Sequence, residues 1–383
     1  MKVLQIGTGW FPEQAGGLPR VYYDCVQSLP QVGVEVDGLV TGSEQVVQSS
    51  MGAVQAFAPT ESSLWQRWKG VRSLVRKAFA QTNYDLVASH FALYTFPNIV
   101  PISNQIGHCP LVTHFHGPWA LESNAEGAKK IAAGAKWWLE KITYNRSKGF
   151  IVLSESFRQV LHQNYGVPME QIYIVPGGIN PQHYELDLSR SQARERLGWQ
   201  QDRPIILSVR RLVHRMGLER LIAAIAQVKQ KYPEVLLLIA GKGPIYEELQ
   251  SQIEALGLDN HVKLLGFVPD RDLVTTYRAA NFSIVPSIAW EGFGLILIES
   301  LAAGTPVLST PMGGMPEVLS PLSMDLLLEG SSTTQIAQGI IEVLAGQRQL
   351  PSAETCRAYV RENYDLQAIA TKIKAVYQQV LAQ

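Results

Sequence analysis

Residues 290–307 read WEGFGLILIESLAAGTPV. The pattern predicts a loop, then a helix that begins near Leu295, and then the start of a strand. Gly292 and Gly294 allow the loop backbone to approach a ligand closely. The helix would direct its free N–H groups and the positive end of its dipole into this loop. The stretch is therefore expected to bind an anion or a hydroxyl group.

The same helix contains a carboxylate, Glu299, in an otherwise apolar run. A carboxylate in apolar surroundings is costly unless a partner compensates its charge. One interpretation gives Glu299 a ligand. The other gives it a structural arginine or solvent, because structural ion pairs are common. The spacing alone leaves both interpretations open.

The arrangement Glu-Gly-Phe-Gly-x4-Glu, followed by Ala-x-Gly-x-Pro-Val, resembles the donor-site signature of retaining GT-B glycosyltransferases. These form the glycogen-synthase-like group that is called family 4. The resemblance implies that Glu291 contacts hydroxyls of the transferred sugar and that Glu299 contacts the ribose of the nucleotide. It also implies that the backbone N–H groups of Phe293, Gly294 and Leu295 hold the sugar.

The composition limits the classes of protein to which the chain can belong. A chain of 383 residues favours two domains, and a 46% hydrophobic content allows a large core. Lysine plus arginine and aspartate plus glutamate both number 33, and this neutrality argues against a nucleic-acid partner. The three cysteines, Cys25, Cys109 and Cys356, are scattered. Their spacing excludes a disulfide framework or a cysteine zinc site and fits a reducing compartment.

The sequence shows neither a signal peptide nor an apolar run long enough to span a bilayer. We therefore expect a cytoplasmic protein that is soluble or peripheral on the inner face of the membrane.

In the first half, strand-like runs recur at residues 2–6, 34–40, 84–89, 110–114 and 149–153, with helical patterns between several of them. This alternation predicts an α/β fold with a parallel sheet, which binds ligands at the carboxyl ends of its strands. Gly7 and Gly9 start a dinucleotide fingerprint that is incomplete, because Pro12 lies where the third glycine should be. Gly16 and Gly17 are either a simple loop or, as the resemblance implies, a cap on the donor diphosphate.

Two histidines, His114 and His116, follow one of these strands. Their spacing could suit a metal, but no third ligand has suitable spacing, so we predict neither a metal nor another cofactor. His114 is expected to be structural. His116 matches the family position that reaches the donor sugar near the reaction centre, although a core histidine is the alternative.

Residues 64–79 form a predicted amphipathic helix with tryptophans and basic residues, and residues 129–141 have similar character. Such helices can lie on an anionic membrane surface. An ordinary surface helix with its apolar stripe in the core is the alternative. We hypothesise peripheral docking through residues 64–79 for a lipid-linked acceptor.

Residues 176–181, PGGINP, predict a hinge and resemble the family's interdomain linker. The predicted domains are an acceptor-side domain at 1–176, a donor-binding domain at 177–365, and a helix at 366–383 that crosses back. Strand-like runs follow at 204–209, 235–240, 262–265, 282–286 and 306–308. The expected architecture is GT-B, with two Rossmann-like doubly wound parallel sheets facing a central cleft.

Loops of the second half carry further candidates. The family pattern Gly-Arg-Leu-x3-Lys-Gly places Arg and Lys on the diphosphate. Here Arg211 matches the Arg, but Met216 stands at the Lys position. We hypothesise that Arg215 substitutes for that lysine, since an arginine fork suits phosphate. Lys242 is a second candidate for the phosphate, although a solvated lysine is the simpler interpretation. The loop that contains Val268 resembles the one whose backbone holds the base.

The predicted function is retaining transfer of a hexose-type sugar from a nucleotide-diphosphate sugar, with UDP as the default, to a hydroxyl of an unidentified acceptor. The predicted catalytic residues are His116, Glu291 and Arg211. The resemblance implies independence from divalent metal. Nucleotide-sugar epimerase, phosphorylase and non-catalytic nucleotide-sugar binding are the alternatives, because fold alone cannot separate them.

Overall fold

The computed structural model describes residues 1–99, 106–127 and 129–383. The chain divides into two units. The first comprises Met1–Gly178 together with Leu366–Gln383, and the second comprises Ile179–Asp365. Among the described residues, no helix has both the length and the apolar character that crossing a membrane requires.

The first unit contains a parallel sheet with the strand order β3-β2-β1-β4-β5-β6-β7. Its strands are β1 (Lys2–Gly9), β2 (Glu35–Thr41), β3 (Val54–Ala58), β4 (Leu86–Ser89), β5 (Leu111–Phe115), β6 (Gly149–Val152) and β7 (Ile172–Ile174). The central strands are buried along their whole length, as the apolar runs predict. The sequence analysis missed β3 and β7, two short edge strands that are only partly buried and whose apolar runs are correspondingly weak.

Helices connect these strands. They are α1 (Gly17–Ser28), α2 (Gln45–Ser49), α3 (Leu64–Gln81), α4 (Ala92–Thr95), α5 (Trp119–Ala125), α6 (Lys130–Arg146) and α7 (Glu155–Tyr165). One helix from the far end of the chain, here named α16 (Leu366–Leu381), completes this unit. Its apolar face, which includes Ile369, Ile373 and Tyr377, packs into the same core as β1 and α1.

The second unit contains a five-stranded parallel sheet with the order β10-β9-β8-β11-β12. Its strands are β8 (Ile205–Val209), β9 (Leu236–Ala240), β10 (Val262–Gly266), β11 (Phe282–Val285) and β12 (Val307–Ser309). Its helices are α8 (Arg190–Leu197), α9 (Leu218–Val228), α10 (Tyr246–Ala255), α11 (Asp270–Ala279), α12 (Leu295–Ala302), α13 (Met315–Leu319), α14 (Thr333–Leu344) and α15 (Ala353–Asn363). The prediction of two doubly wound parallel sheets is confirmed.

The strand order positions the candidate sites. In the second sheet the chain runs outward from β8 to β10 and then returns to β11 on the other side of β8. The order of the first sheet reverses in the same way between β1 and β4. Ligands of doubly wound sheets bind outside the carboxyl ends of the strands at such switch points. The loops that follow β8 and β11 are therefore the place to look for a site in the second unit.

Candidate active site

A buried ion pair joins the loops at the switch point of the second sheet. Arg210 follows β8 and Glu291 lies beyond β11, and Nη2 of Arg210 donates to Oε2 of Glu291. The same Nη2 donates to Oγ of Ser287, whose hydroxyl lies 3.2 Å from Oε2 of Glu291. Arg210 and Ser287 are buried. Arg210, Ser287 and Glu291 form one polar cluster at the switch point of the second sheet.

Charge holds Glu291 in its ionised form. Burial alone would raise the pKa of its carboxyl, but the Arg210 guanidinium, and after it Arg215 and the Ser287 hydroxyl, bring the net pKa below its ordinary value. Glu291 is therefore a carboxylate across the neutral pH range. An acceptor-only group of this kind can receive hydrogen bonds from sugar hydroxyls.

Arg215 ties the two loops together. Its carbonyl accepts the N–H of Ile288 at 2.9 Å. Its Nη1 donates to the carbonyl of Trp290 at 3.2 Å. The guanidinium thus lies beside the backbone that carries Glu291. The hypothesis that Arg215 substitutes for the family lysine stays a prediction.

Arg211 and Met216, which stand at the Arg and Lys positions of the family pattern, differ in exposure. Arg211 is exposed at the end of β8, where its guanidinium can reach an anion. Met216 is buried, and its Sδ lies 4.0 Å from Oγ of Ser287. The side-chain end of Met216 therefore lies next to the polar cluster rather than in solvent.

The helix that the sequence predicted near Leu295 is present as α12 and starts at that residue. Gly294 caps it with a φ of 79°, a left-handed conformation that glycine adopts without strain. Its first turn has neither an acidic residue nor a hydrogen bond from a capping side chain. Phe293 is buried, with its ring 5.5 Å from that of Tyr364. The free N–H groups are thus available to a ligand.

A second loop supports the backbone of Glu291. The N–H of Gly314 donates to the Glu291 carbonyl at 2.9 Å. Gly313 has a φ of 57°, and a Cβ added there would lie 1.8 Å from the same carbonyl oxygen. Only glycine fits at position 313 without moving Glu291.

The remaining predicted donor residues lie in the same unit. Glu299 is half-buried in α12. The pKa of Tyr277 is raised, chiefly by burial and then by the nearby Glu299 carboxylate. Val268 is half-buried in the loop after β10, beside the exposed Phe267. Nζ of Lys242 lies 5.4 Å from the centre of the Phe267 ring.

The first unit holds the other predicted residues. Gly16 caps α1, and a Cβ added at Gly17 would meet no described atom within 4 Å, so this loop has open space in front of it. His116 lies just beyond β5, with Nε2 at 3.2 Å from Nδ1 of His90. Burial lowers the pKa of His116 to about 4, so its imidazole is neutral near pH 7.

Three histidines stack in this unit. The rings of His90 and His114 lie 4.2 Å apart with an angle of 15° between their planes, and the ring of His116 lies 5.3 Å from that of His90 and 6.2 Å from that of His114. Nε2 of His114 lies 2.7 Å from the hydroxyl of Tyr377. Burial lowers the pKa of His114 to about 3 and that of His90 well below its ordinary value. His114 is thus buried and paired with Tyr377, an environment that suits a structural residue.

Groups near enough to share a metal were also sought among the described residues. Cys25, His90 and His114 form one such group, but the lone pairs of stacked imidazoles run parallel instead of converging on a tetrahedral centre. The second group, His214 with Glu219 and Glu248, has an ordinary explanation as an exposed ion pair, since Nδ1 of His214 lies 2.6 Å from Glu219. An Asp-x-Asp sequence, residues 270–272, opens α11, where Asp272 pairs with exposed Arg271 at 3.4 Å. We assign no metal to any of them.

The structure brings part of the predicted set together. The second unit holds Arg211, Arg215, Val268, Glu291, Phe293, Gly294, Leu295 and Glu299, all on one sheet's carboxyl-end loops or on α12. The first unit holds Gly16, Gly17 and His116. The sequence offers two guanidinium groups after β8, Arg210 and Arg211, but the family pattern assigned a role only to Arg211, and Ser287 was missed. A signal for Arg210 was present, because it occupies the glycine position of the same family pattern in which Met216 replaces lysine.

Two family models match the chain. The one described as Glycosyltransferase Family 4 matches residues 15–183, and the one described as Glycosyl transferases group 1 matches residues 189–363. An uncharacterized glycosyltransferase of Methanocaldococcus jannaschii is 25% identical over 98% of both chains. The phosphatidyl-myo-inositol mannosyltransferase of Mycobacterium leprae is 25% identical over 81% of this chain and 77% of its own.

Solved structures resemble the whole chain. The sucrose-phosphate synthase of Thermosynechococcus elongatus has a TM-score of 0.83 and 22% identity, covering 100% of this chain and 99% of its own. Anabaena HepE, solved with UDP and glucose, has a TM-score of 0.80 and 21% identity, covering 99% of this chain and 100% of its own. These likenesses show the GT-B fold. The family models and the relatives together show that the chain belongs to the group 1 glycosyltransferases, enzymes that transfer a sugar from a nucleotide sugar.

Proposed function

We propose that this glycosyltransferase moves a hexose from a UDP-linked donor to an acceptor hydroxyl and retains the anomeric configuration. The observation that carries the proposal is the Arg210–Glu291 pair beside the uncapped start of α12, at the switch point of the second sheet. Cations, free N–H groups and a fixed carboxylate suit a sugar that is joined to a diphosphate.

The proposed roles follow from chemistry and from the family correspondence. Glu291 and the N–H groups of Phe293, Gly294 and Leu295 bind the sugar, and Glu299 binds the ribose. Arg211 and Arg215 neutralise charge on the departing diphosphate. The loop of Val268 holds the base. The roles of His116 at the sugar and of Gly16-Gly17 at the diphosphate rest on the family correspondence.

A GDP-linked donor is the direct alternative to a UDP-linked donor. Anabaena HepE was solved with UDP, whereas a relative from Corynebacterium glutamicum, 30% identical over 49% of this chain and 51% of its own, is named as GDP-mannose-dependent. A thermal-shift screen of UDP-glucose, UDP-galactose, ADP-glucose and GDP-mannose separates them. A ligand at 100 times its Kd stabilises the native state by about 2.7 kcal/mol. Stabilisation by GDP-mannose alone would overturn the choice of UDP.

The retaining course and the independence from metal rest on the family correspondence. Glu291 is bonded to Arg210 and Ser287, an environment that suits a carboxylate that binds hydroxyls. Slow hydrolysis of the preferred donor, followed by proton NMR, reports the anomer that is released first. Release of the inverted anomer, or activity that depends on added Mg²⁺, would contradict the proposal. Binding of the donor without any nucleotide release would favour a non-catalytic protein.

We further propose that the acceptor is presented at an anionic membrane surface. α3 buries Val71 and Val75, whereas Trp65 is 69% exposed and Leu64 is 45% exposed. A groove of about 500 Å³ runs along this helix between aromatic and basic side chains. Its lining includes Trp65, Trp68, Lys69, Arg72, Arg76 and Phe96.

The second basic helix contributes to the same surface of the first unit. The ring of Phe96 lies 5.7 Å from that of Trp68 on α3 and 6.0 Å from that of Trp138 on α6. Trp138 is 57% exposed. Exposed tryptophans with lysines and arginines are typical of helices that bind the membrane interface. This supports a peripheral location at a membrane surface.

Sedimentation with liposomes tests this part. We expect binding to vesicles that contain phosphatidylglycerol, weaker binding at high salt, and loss of binding in a Trp65→Ser/Lys69→Glu variant. Lys372→Glu, on the exposed side of α16, is the matched control. Equal sedimentation of wild type and the double variant, or none at low salt, would end the proposal.

A further inference from the structure

We infer that Arg210 and Met216 are a coupled pair: in addition to the contribution proposed for Arg215, the Arg210 guanidinium supplies diphosphate-binding positive charge that position 216 lacks. The inference rests on the proposed function, because it concerns the donor diphosphate. It names a residue that the family pattern does not place on the donor, since that pattern has glycine at position 210.

The first step is that the two side chains end at the same point. Arg210 starts from the end of β8, and Met216 lies six positions later, yet both reach the hydroxyl of Ser287. Nη2 of Arg210 donates to that hydroxyl, and Sδ of Met216 lies 4.0 Å from it. A lysine at 216 and a long cation at 210 would therefore compete for one place. Replacement of the lysine by an uncharged methionine leaves that place to the guanidinium.

The second step concerns energy. A buried ion pair contributes little to stability, because the cost of desolvating two charges offsets their attraction. Apolar residues could fill the same volume at no loss of stability. Arg210 is 8% exposed and also leaves Nε without a hydrogen-bond partner among the described residues. A charge held at such a cost, with an unused donor, points to a ligand as the reason for its presence.

The third step is the position of the charge. Arg210 contacts Glu291 directly, and its charge also acts on Tyr277, whose pKa Glu299 influences as well. The exposed Arg211 follows it directly. The loop after β8 thus presents two adjacent cations, one buried and one exposed. A diphosphate carries enough charge to engage both.

Two variants test whether Arg210 binds the diphosphate or only orders the loop. Calorimetric titration with UDP and with uridine (GDP and guanosine, if wild type prefers them) separates the two roles. We expect Arg210→Met to weaken UDP binding about 10- to 100-fold and to leave uridine binding unchanged, because only UDP carries the diphosphate. Arg271→Met, an exposed arginine of the same unit, is the matched control and should change neither.

The charge swap then tests the coupling. Arg210→Gly should lose UDP affinity as Arg210→Met does, and Met216→Lys alone should gain none and lose stability, because two cations then share one buried place. Arg210→Gly/Met216→Lys should bring the affinity back to within about tenfold of wild type. If the double variant does not fold, the ratio of UDP affinity to uridine affinity in Arg210→Met decides whether Arg210 binds the diphosphate.

The outcomes distinguish the two levels of the argument. A wild-type protein that binds no nucleotide or nucleotide sugar overturns the proposed function and this inference with it. A wild type that binds UDP, with an unchanged UDP-to-uridine ratio in Arg210→Met, overturns the inference alone. The same holds for a folded swap variant that binds UDP no better than Arg210→Gly.

Discussion

The hydroxyl of Tyr377, in the last helix, lies 2.7 Å from Nε2 of His114, although the two residues are 263 positions apart in the chain. The contact joins the end of the chain to the histidine stack at the end of β5. It explains why the first unit consists of residues 1–178 and 366–383. The last helix is part of the first unit's core and not an appendage.

We expect Tyr377→Phe to destabilise the protein by about 1 to 2 kcal/mol, because the buried His114 nitrogen loses its partner. The measurement is urea unfolding followed by circular dichroism. Gln378→Ala, on the exposed side of the same helix, is the control. A Tyr377→Phe variant as stable as the control would show that the hydrogen bond contributes nothing.

The buried histidines predict a loss of stability in acid. The pKa of His114 is about 3 in the folded protein against 6.5 for the free group, and that of His90 is also lowered. Below pH 6.5 the unfolded chain binds protons that the folded chain does not. The contribution of His114 is therefore complete above pH 6.5 and is lost as the pH falls toward about 3.

Two carboxyls act in the opposite direction. Burial raises the pKa of Glu140 from 4.5 to about 7 and that of Asp24 from 3.8 to about 6, so their contributions are present at low pH and are lost as the pH rises to these values. Between pH 4.5 and 6, the three buried histidines, His116 included, outweigh the two carboxyls by one proton, and we expect stability to rise by about 1.4 kcal/mol per pH unit. His90→Gln should flatten this slope, whereas His183→Gln, an exposed control in the other unit, should not. Urea midpoints measured across this range that do not depend on pH would contradict the prediction.

Substitutions of Glu291 and Glu299, the two carboxylates predicted to bind the donor, should have different effects. Glu299→Ala should chiefly weaken donor binding, because it is proposed to contact the ribose, and Glu291→Ala should also slow turnover. Glu291→Ala leaves Arg210 buried without its partner, a change that costs about 3–5 kcal/mol of stability. Turnover must therefore be compared at a temperature at which both variants are folded. Equal losses of affinity and of turnover in the two variants would argue against separate roles.

Substitution of the exposed Arg211 and of the half-buried Arg215 should also have different effects. Arg211→Ala should reduce donor affinity by about 10- to 100-fold without changing stability, because its side chain is exposed. Arg215→Ala should reduce donor affinity and also destabilise the protein by about 1 kcal/mol, since it loses the hydrogen bond to Trp290. Thermal unfolding and donor titration on the same samples separate these effects. An Arg215→Ala variant with unchanged donor affinity and turnover would refute its assignment as the substitute cation.

The sequence by itself determined the two parallel sheets and the start of α12. Short apolar runs bounded by glycine and proline carry the strands, and the GFG turn before an apolar run carries the helix, so both are local signals. The edge strand β3 was not predicted, because its residues are only partly buried and its apolar pattern is therefore weak. Local pattern is all that a single sequence offers.

Only the tertiary structure decided which arginine meets Glu291. Arg210 and Arg211 are neighbours with the same chemistry, and their spacing cannot say which one points inward at the end of β8. Both residues lie in the loop after β8, and the fold places the Arg210 guanidinium on Ser287 while the Arg211 side chain is exposed. The same holds for His114 and Tyr377, because a contact between residues 263 positions apart follows from how the helices pack and not from any local pattern.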